Sequence, residues 1–379
     1  MDLKNIRDEI DEIDDEIVAL YERRVALTDA VATYKMETGK PVLDRQREKQ
    51  KLAFVKGTVN RPGIAEDAAA LIANIMVLSR KNQYDRMARN GHGLKLDVHE
   101  IQSVVCRDVR IGYQGEAGGY GYLAMKRYFG DYGTQGAYAN FEDVVLAVER
   151  EEIDCGVIPI ENSTAGEVTQ VYDLLIRHQI HIVDEVTFPI RHALLGVAGT
   201  RRDEIRTVYS HPQALMQCAG FLAAHKEWLR VSLSNTAVSA RKVAEDADPT
   251  QAAIGSKEAA KFFGLEVIAE GLADEERNTT KFIIIKKRCE QLPNANRILI
   301  SFRAPHEIGS LYELLSHTKY NGLNMTKIFS RPTPERQWDY SFFVEIDGNL
   351  KQERVRAALL GIAKEATDFQ ILGSYPEFE

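Results

Sequence analysis

The sequence predicts a multidomain chain: an all-helical domain, then a two-lobed α/β domain, then a small α+β domain. Three observations predict this. Apolar residues recur on one helical face from Ile6 to Tyr34 in alternating steps of four and three. Short β-rich runs alternate with helical stretches from about residue 104. After Leu292-Pro-Asn-Ala-Asn296 the order becomes strand, helix, strand, strand, helix, strand. The expected boundaries are 1–90, 104–288 and 296–379.

The first segment reads as helix from residue 2 to 87, broken by turns at Gly39–Pro41 and Arg61-Pro62-Gly63 and ended by Asn90-Gly-His-Gly93, with no β-rich run before 104. Ile6, Ile10, Ile13, Ile17, Leu20, Leu27, Val31 and Tyr34 form the seam of a long helix packed against other helices. Arg24 falls on that seam where an apolar residue belongs. A guanidinium facing a bundle interior needs an anionic partner, either a structural carboxylate or a substrate. Lys35 follows eleven residues on, about three turns, and so shares nearly the same face. The second stretch presents Asp44, Arg47 and Glu48; the third carries Ile72 and Met76 on a stripe continued by Ser79 and Gln83. Polar breaks on all three apolar faces predict a polar pocket inside the helical domain.

In the middle region, strands are expected at 109–113, 156–160, 181–187, 193–197, 207–210, 231–233, 252–255 and 282–285. Helices are expected near 121–129, 141–150, 168–178, 213–225, 236–246 and 256–263. The alternation argues βαβ units, a mainly parallel sheet and two lobes with a cleft between them. Four polar loops follow strand ends: 114–121, 159–166, Ser210-His-Pro-Gln213 and Ser234-Asn-Thr-Ala237. The first has GxxGG spacing, not GxGxxG, which argues against a dinucleotide site. Loops feeding helix N-termini point backbone N–H groups at a crevice and suit carboxylates, although each alone can be a simple cap. Arg277-Asn-Thr-Thr-Lys-Phe282 precedes an apolar strand. A threonine hydroxyl there is a poor acid until a desolvated site holds it against a leaving hydroxyl.

The last segment is expected as strand 297–303, helix 306–318, strands 325–329 and 340–346, helix 350–366 and strand 369–375, the ferredoxin-like plan.

Composition narrows the function. With 44% hydrophobic and 27% charged residues the chain is ordinary for a globular protein. A net charge of −8 argues against a general nucleic-acid or membrane-surface role. Cys106, Cys155, Cys218 and Cys289 form no CxxC, so neither a disulfide framework nor a zinc site is expected. The chain is charged from Asp2 onward and no run approaches the roughly 18 apolar residues of a membrane span. A cytoplasmic protein is expected.

These residues also match known families. The helical segment resembles the all-helical chorismate mutases: Arg7, Arg24, Lys35, Asp44, Arg47, Glu48, Ser79 and Gln83 follow that family's active-site pattern in order and spacing. The middle resembles prephenate dehydratase, a two-lobed, periplasmic-binding-protein-like fold, through Pro159-Ile-Glu-Asn-Ser163, Ser210-His-Pro-Gln213, Asn235-Thr-Ala237 and Asn278-Thr-Thr-Lys-Phe282. The end resembles a phenylalanine-sensing ACT domain, with Gly309-Ser-Leu311 and Ser330-Arg-Pro332. The set covers nearly the whole chain in the order of the bifunctional mutase–dehydratase.

That resemblance implies a cofactor-free pericyclic rearrangement of chorismate to prephenate, then loss of water and carbon dioxide to give phenylpyruvate. Arg24 and Arg7 would grip carboxylates, with Ser79 in support. Lys35 and Gln83 would face the ether oxygen, Asp44 and Glu48 would hold the hydroxyl, and Arg47 would order the acidic pair. On an ideal helix Arg7 lies about 100° from Arg24, so a dimer in which Arg7 enters the neighbour's pocket is implied, with a tetramer also open. Thr280 would protonate the departing hydroxyl, while Asn162, Ser163, Gln213 and Thr236 would position prephenate. Gly309, Ser310, Leu311, Asn324, Ser330 and Arg331 would hold phenylalanine.

The chain departs from the family patterns at five positions. Gly119 and Gly121 replace hydroxyl residues, Lys281 replaces arginine, Phe329 replaces glutamate, and Tyr312 replaces a small aliphatic residue. Other readings remain open: a dehydratase with a purely dimerising helical domain, a non-enzymatic small-molecule sensor, and a last domain that dimerises without an effector.

Overall fold

A computed structural model describes residues 2–61, 63–275, 277–333 and 339–377; Pro62 of the expected second turn and residues 378–379 of the expected last domain lie outside these. The chain divides into two compact units, Met1–Asp97 with Arg297–Ile371, and Val98–Asn296 with Leu372–Glu379. No helix among the described residues is long and apolar enough to cross a membrane.

In the first unit, helix α1 (Leu3–Thr38) ends at Gly39, whose φ of 69° closes the helix in the left-handed region at no steric cost. Helix α2 (Arg45–Thr58) is capped by Asp44, whose carboxylate accepts from the Arg47 backbone N–H at 2.9 Å. Helix α3 (Ala65–Arg89) buries Ala69, Met76, Val77, Ser79, Arg80, Gln83 and Tyr84. The expected packing of the α1 seam is not met within the chain: of the helix's 36 residues only Ala32 is buried. Ile10, Ile13, Leu20 and Leu27 are each half exposed or more. The seam faces outward because α3 turns its buried side to the C-terminal segment, where Tyr84 packs with Val42 and Leu360.

That C-terminal segment has strands Arg297–Arg303, Met325–Pro332, Tyr340–Asp347 and Thr367–Tyr375 and helices Ser310–Tyr320 and Glu353–Glu365. Its strand order is second, third, first, fourth, the ferredoxin-like arrangement. The first helix starts four residues later than expected because Gly309 sits at φ 83° directly before it.

The second unit holds two α/β lobes. One sheet runs His181–Pro189, Thr279–Lys286, Cys155–Asn162, Arg110–Gln114, Thr134–Tyr138; the other runs Glu266–Glu270, Ala193–Gly196, Gln251–Gly255, Thr207–Ser210, Leu229–Ser232. Both sheets are mixed rather than mainly parallel. Thr279–Lys286 pairs antiparallel with both neighbours, and Ala193–Gly196 is antiparallel to Gln251–Gly255. The reason is connectivity: both strands that resume after a crossing between lobes run against their neighbours. A two-residue strand, His99–Glu100, pairs with Glu290–Gln291, so pairing begins slightly before residue 104. The expected helix 213–225 is two short ones, Pro212–Gln217 and Ala219–Ala223, parted at Cys218.

Candidate functional site

In the first unit, Arg24 reaches α3. Its guanidinium donates to the Ser79 hydroxyl and, at 3.4 Å, to the Ile75 carbonyl, while Ser79 Oγ donates to the same carbonyl at 2.7 Å. Among the described residues no carboxylate lies within ion-pair range of Arg24. A half-buried cation held in place by a hydroxyl and a carbonyl, without an internal counter-charge, is poised for an external anion.

Lys35 Nζ donates to the Val42 carbonyl at 2.7 Å. Burial lowers its pKa, Asp44 and Glu48 oppose that, and Arg80 adds to it. Gln83 Nε2 donates to the Ser79 carbonyl at 3.1 Å, and its buried Oε1 has no partner among the described residues. Arg24, Ser79 and Gln83 thus meet along α3, while Lys35 shares charge interactions with Asp44, Glu48 and Arg80, the residue next to Ser79. Arg7 does not join them; it is exposed and lies about 25 Å along α1 from Arg24. The acidic residue Glu48 is held by Arg80 at 2.5 Å, not by Arg47, whose recorded bond to the pair is through its backbone. Sequence reasoning missed Arg80. The available signal was its place on a stripe with Ala73, Val77 and Tyr84, otherwise uncharged.

In the second unit the chain crosses between lobes twice, at residues 190–192 and at residues 271–275 with 277–278. The crossings run side by side: Ile190 N–H donates to the Asn278 carbonyl at 2.8 Å. Thr280 lies just where the chain re-enters the first sheet, opposite Asn162, with a bulge in the same pairing one residue later. Thr280 is 8% exposed.

Asn162 is saturated by the protein. Its oxygen accepts from Thr164 N–H, Thr164 Oγ and Ala165 N–H at 2.7–3.1 Å. Its amide donates to Asn278 Oδ1 and Thr280 Oγ1, both at 2.8 Å, and to the Thr279 carbonyl at 3.1 Å. The oxygen contacts fix the amide's orientation, so Thr280 Oγ must be the acceptor and its own proton points elsewhere. Ser163 accepts from Thr279 N–H at 3.0 Å and donates to the Arg277 carbonyl at 3.3 Å. Both residues therefore brace the Thr280 strand.

The second lobe reaches this cluster through Gln217, whose amide donates to Thr164 Oγ1 at 3.0 Å and whose oxygen lies 2.9 Å from His192 Nε2. Burial lowers the His192 pKa. The donor at Gln217 Oε1 is thus Nε2–H of the neutral ring, and Nδ1 faces Tyr120 at 3.2 Å. Gln213, expected to position prephenate, lies one turn earlier on the same helix, where its backbone N–H donates to His211 Nδ1 at 3.2 Å. Thr236 opens the helix Thr236–Asp246, which Asn235 caps; no hydrogen bond ties it to the Thr280 cluster among the described residues. Gly121 stands where a side chain cannot: a Cβ would meet the Gln114 carbonyl at 2.5 Å. Lys281 pairs with buried Glu185 at 3.2 Å.

Ser310 and Leu311 line a cavity of about 400 Å³ together with Pro305, Glu307 and Tyr340. Gly309 borders it in sequence. Asn324 instead donates to Asp347 at 2.9 Å, and Ser330 and Arg331 lie on the Met325–Pro332 strand outside that lining.

A chorismate mutase type II family model matches residues 6–84 and a prephenate dehydratase model matches 111–290. A bifunctional chorismate mutase/prephenate dehydratase from Buchnera aphidicola subsp. Acyrthosiphon pisum is 31% identical over 382 residues, covering 98% of this chain and 95% of that protein. The chain belongs to the bifunctional chorismate mutase/prephenate dehydratase family. The mutase match contains the Arg24 cluster and the dehydratase match contains the Thr280 cluster. Two solved structures are also similar to this family member. A prephenate dehydratase in complex with L-Phe from Arthrobacter aurescens is 29% identical, with TM-score 0.65, covering 70% of this chain and 90% of that one. GqqA, described as a novel type of quorum quenching acylase, is 28% identical, with TM-score 0.63, covering 71% and 98%.

Proposed function

We propose that this enzyme of phenylalanine biosynthesis rearranges chorismate to prephenate at the Arg24 cluster and converts prephenate to phenylpyruvate at the Thr280 cluster. The observation that carries the reading is unused capacity at both centres: the Arg24 guanidinium faces no carboxylate, and the Thr280 hydroxyl receives a hydrogen bond while its proton has no acceptor among the described residues.

In the mutase step the protein selects the compact conformer and stabilises negative charge at the ether oxygen as the C–O bond breaks. Arg24 grips a carboxylate with Ser79 beside it, Lys35 and Gln83 face the ether oxygen, and Asp44 and Glu48 take the hydroxyl. In the dehydratase step Thr280 protonates the leaving hydroxyl while the carboxylate leaves as carbon dioxide and the ring aromatises. Asn162 and Ser163 hold Thr280; Gln213 and Thr236 contact prephenate from the second lobe.

We further propose a homodimer in which the α1 stripes pair and Arg7 enters the neighbour's mutase pocket. The last domain acts as an ACT domain whose cavity at Ser310 and Leu311 takes phenylalanine as feedback effector. A cytoplasmic setting belongs to the same reading, since the family member compared above is a bacterial biosynthetic enzyme.

Purified protein given chorismate alone should form phenylpyruvate without added cofactor. Consumption of prephenate but not chorismate would reduce the helical domain to a dimerising scaffold; consumption of neither would leave a sensor.

A further inference from the structure

The mutase cluster carries one buried cation that these roles do not use. Arg80 on α3 directs its three guanidinium nitrogens at three carboxylates from three other helices: Nη1 to Glu48 at 2.5 Å, Nη2 to Glu313 at 2.9 Å and Nε to Glu365 at 3.0 Å. The Arg80 and Glu365 side chains are each 2% exposed. Burial opposes the Arg80 charge, and Glu365, Glu48 and Glu313 outweigh it. Glu48 belongs to the mutase pocket, whereas Glu313 and Glu365 lie on the two helices of the C-terminal domain.

A guanidinium is planar, and its N–H directions are rigidly related. Anchoring two of them sets the third. Glu365 cannot yield easily: His317 Nε2 lies 3.3 Å from its other oxygen. The His317 ring in turn fills the space left by Gly361, where a Cβ would meet Nδ1 at 2.5 Å. A second contact joins the same elements, because Glu307 takes Arg45 at 3.0 Å and Lys49 at 3.2 Å. These two flank Glu48 on α2.

We propose that Arg80 is a positioning residue of the mutase reaction, aiming Glu48 at the substrate hydroxyl while Glu313 and Glu365 of the C-terminal domain hold Arg80 in place. This rests on the assignment of Glu48 above. It makes the mutase pocket dependent on a domain that begins some two hundred residues after α3 ends. Glu313 lies one turn into the helix whose first residues, Ser310 and Leu311, line the 400 Å³ cavity. Whatever occupies that cavity is therefore in mechanical contact with the orientation of Glu48.

The test uses the full-length protein with Arg80→Lys and Glu313→Gln. Chorismate KM and kcat are measured beside prephenate turnover on the same preparations. Chorismate KM should rise about tenfold in the first variant and about threefold in the second, the scale of one weakened charge-assisted hydrogen bond, with kcat within about twofold and the dehydratase unchanged. A purely structural contact would lower kcat with the folded fraction at constant KM. That pattern, or wild-type mutase kinetics in both folded variants, overturns the proposal. Wild-type protein that fails to turn over chorismate would instead remove the mutase reading on which it rests.

Discussion

Replacing Ile13 and Ile17 together by glutamate should take the proposed dimer apart into monomers. The two side chains are 56% and 43% exposed on α1. Fully burying an isoleucine is worth about 1.5–3 kcal/mol, so covering the exposed half of each yields roughly 1 kcal/mol. In a two-fold pairing every position occurs twice, which puts the loss for the double variant near 4 kcal/mol, or about a thousandfold in dissociation constant. Two carboxylates forced into the seam add to that figure. Sedimentation equilibrium across the micromolar range gives the mass, and mutase and dehydratase rates are followed on the same samples. Mutase activity should fall with the dimer population, since in the proposed dimer Arg7 acts across the pairing, while the dehydratase rate per chain stays level. An unchanged mass with wild-type mutase activity would refute the pairing of the α1 stripes.

Thr280→Ala should cut dehydratase kcat by about 10²–10⁴, the range for removing a positioned proton donor, with an unchanged urea midpoint, and Thr280→Ser should recover part of the rate. A near-normal rate in the alanine variant would mean another group supplies the proton. Arg24→Ala should lower chorismate turnover by about 10² or more while prephenate turnover persists; equal losses in both would contradict separate sites. Burial holds the His192 pKa below its ordinary 6.5. The unfolded chain therefore takes up a proton that the native ring refuses, and stability should decline as pH falls below that value, levelling once the native ring also titrates. His211 is shifted the same way, so the comparison is with His192→Gln, whose thermal midpoint should fall less between neutral pH and pH 5; parallel curves would exclude His192 as the source. Calorimetry with L-phenylalanine should register binding that Leu311→Ala weakens, and silence at millimolar ligand would leave the last domain without this effector.

The domain order and most helices were legible because their periodicity is local. Every residue of the α1 seam could be named from spacing, yet spacing cannot say whether the covering surface lies within the chain. The Thr280 segment and its partner loop were readable as polar runs at strand ends. Their division of labour was not: Asn162 and Ser163 brace the protein because a strand register, Thr280 opposite Asn162, brings them together. Gln217 escaped notice beside Gln213 because both lie on one short helix and only its docking decides which glutamine meets Thr164. The mixed sheets escaped notice since a strand run reads the same in either direction. Arg80 was hardest to see, as its deepest partner is 285 positions away.

That separation has a temporal side. A ribosome adding roughly 5–20 residues per second delivers Glu365 on the order of half a minute after Arg80 has emerged. Until Glu313 is also made, the newborn third helix carries a cation destined for the interior but served only by water and Glu48. The earliest-made part of this enzyme must therefore wait in a half-finished state, and its maturation is coupled to the completion of the last-made part.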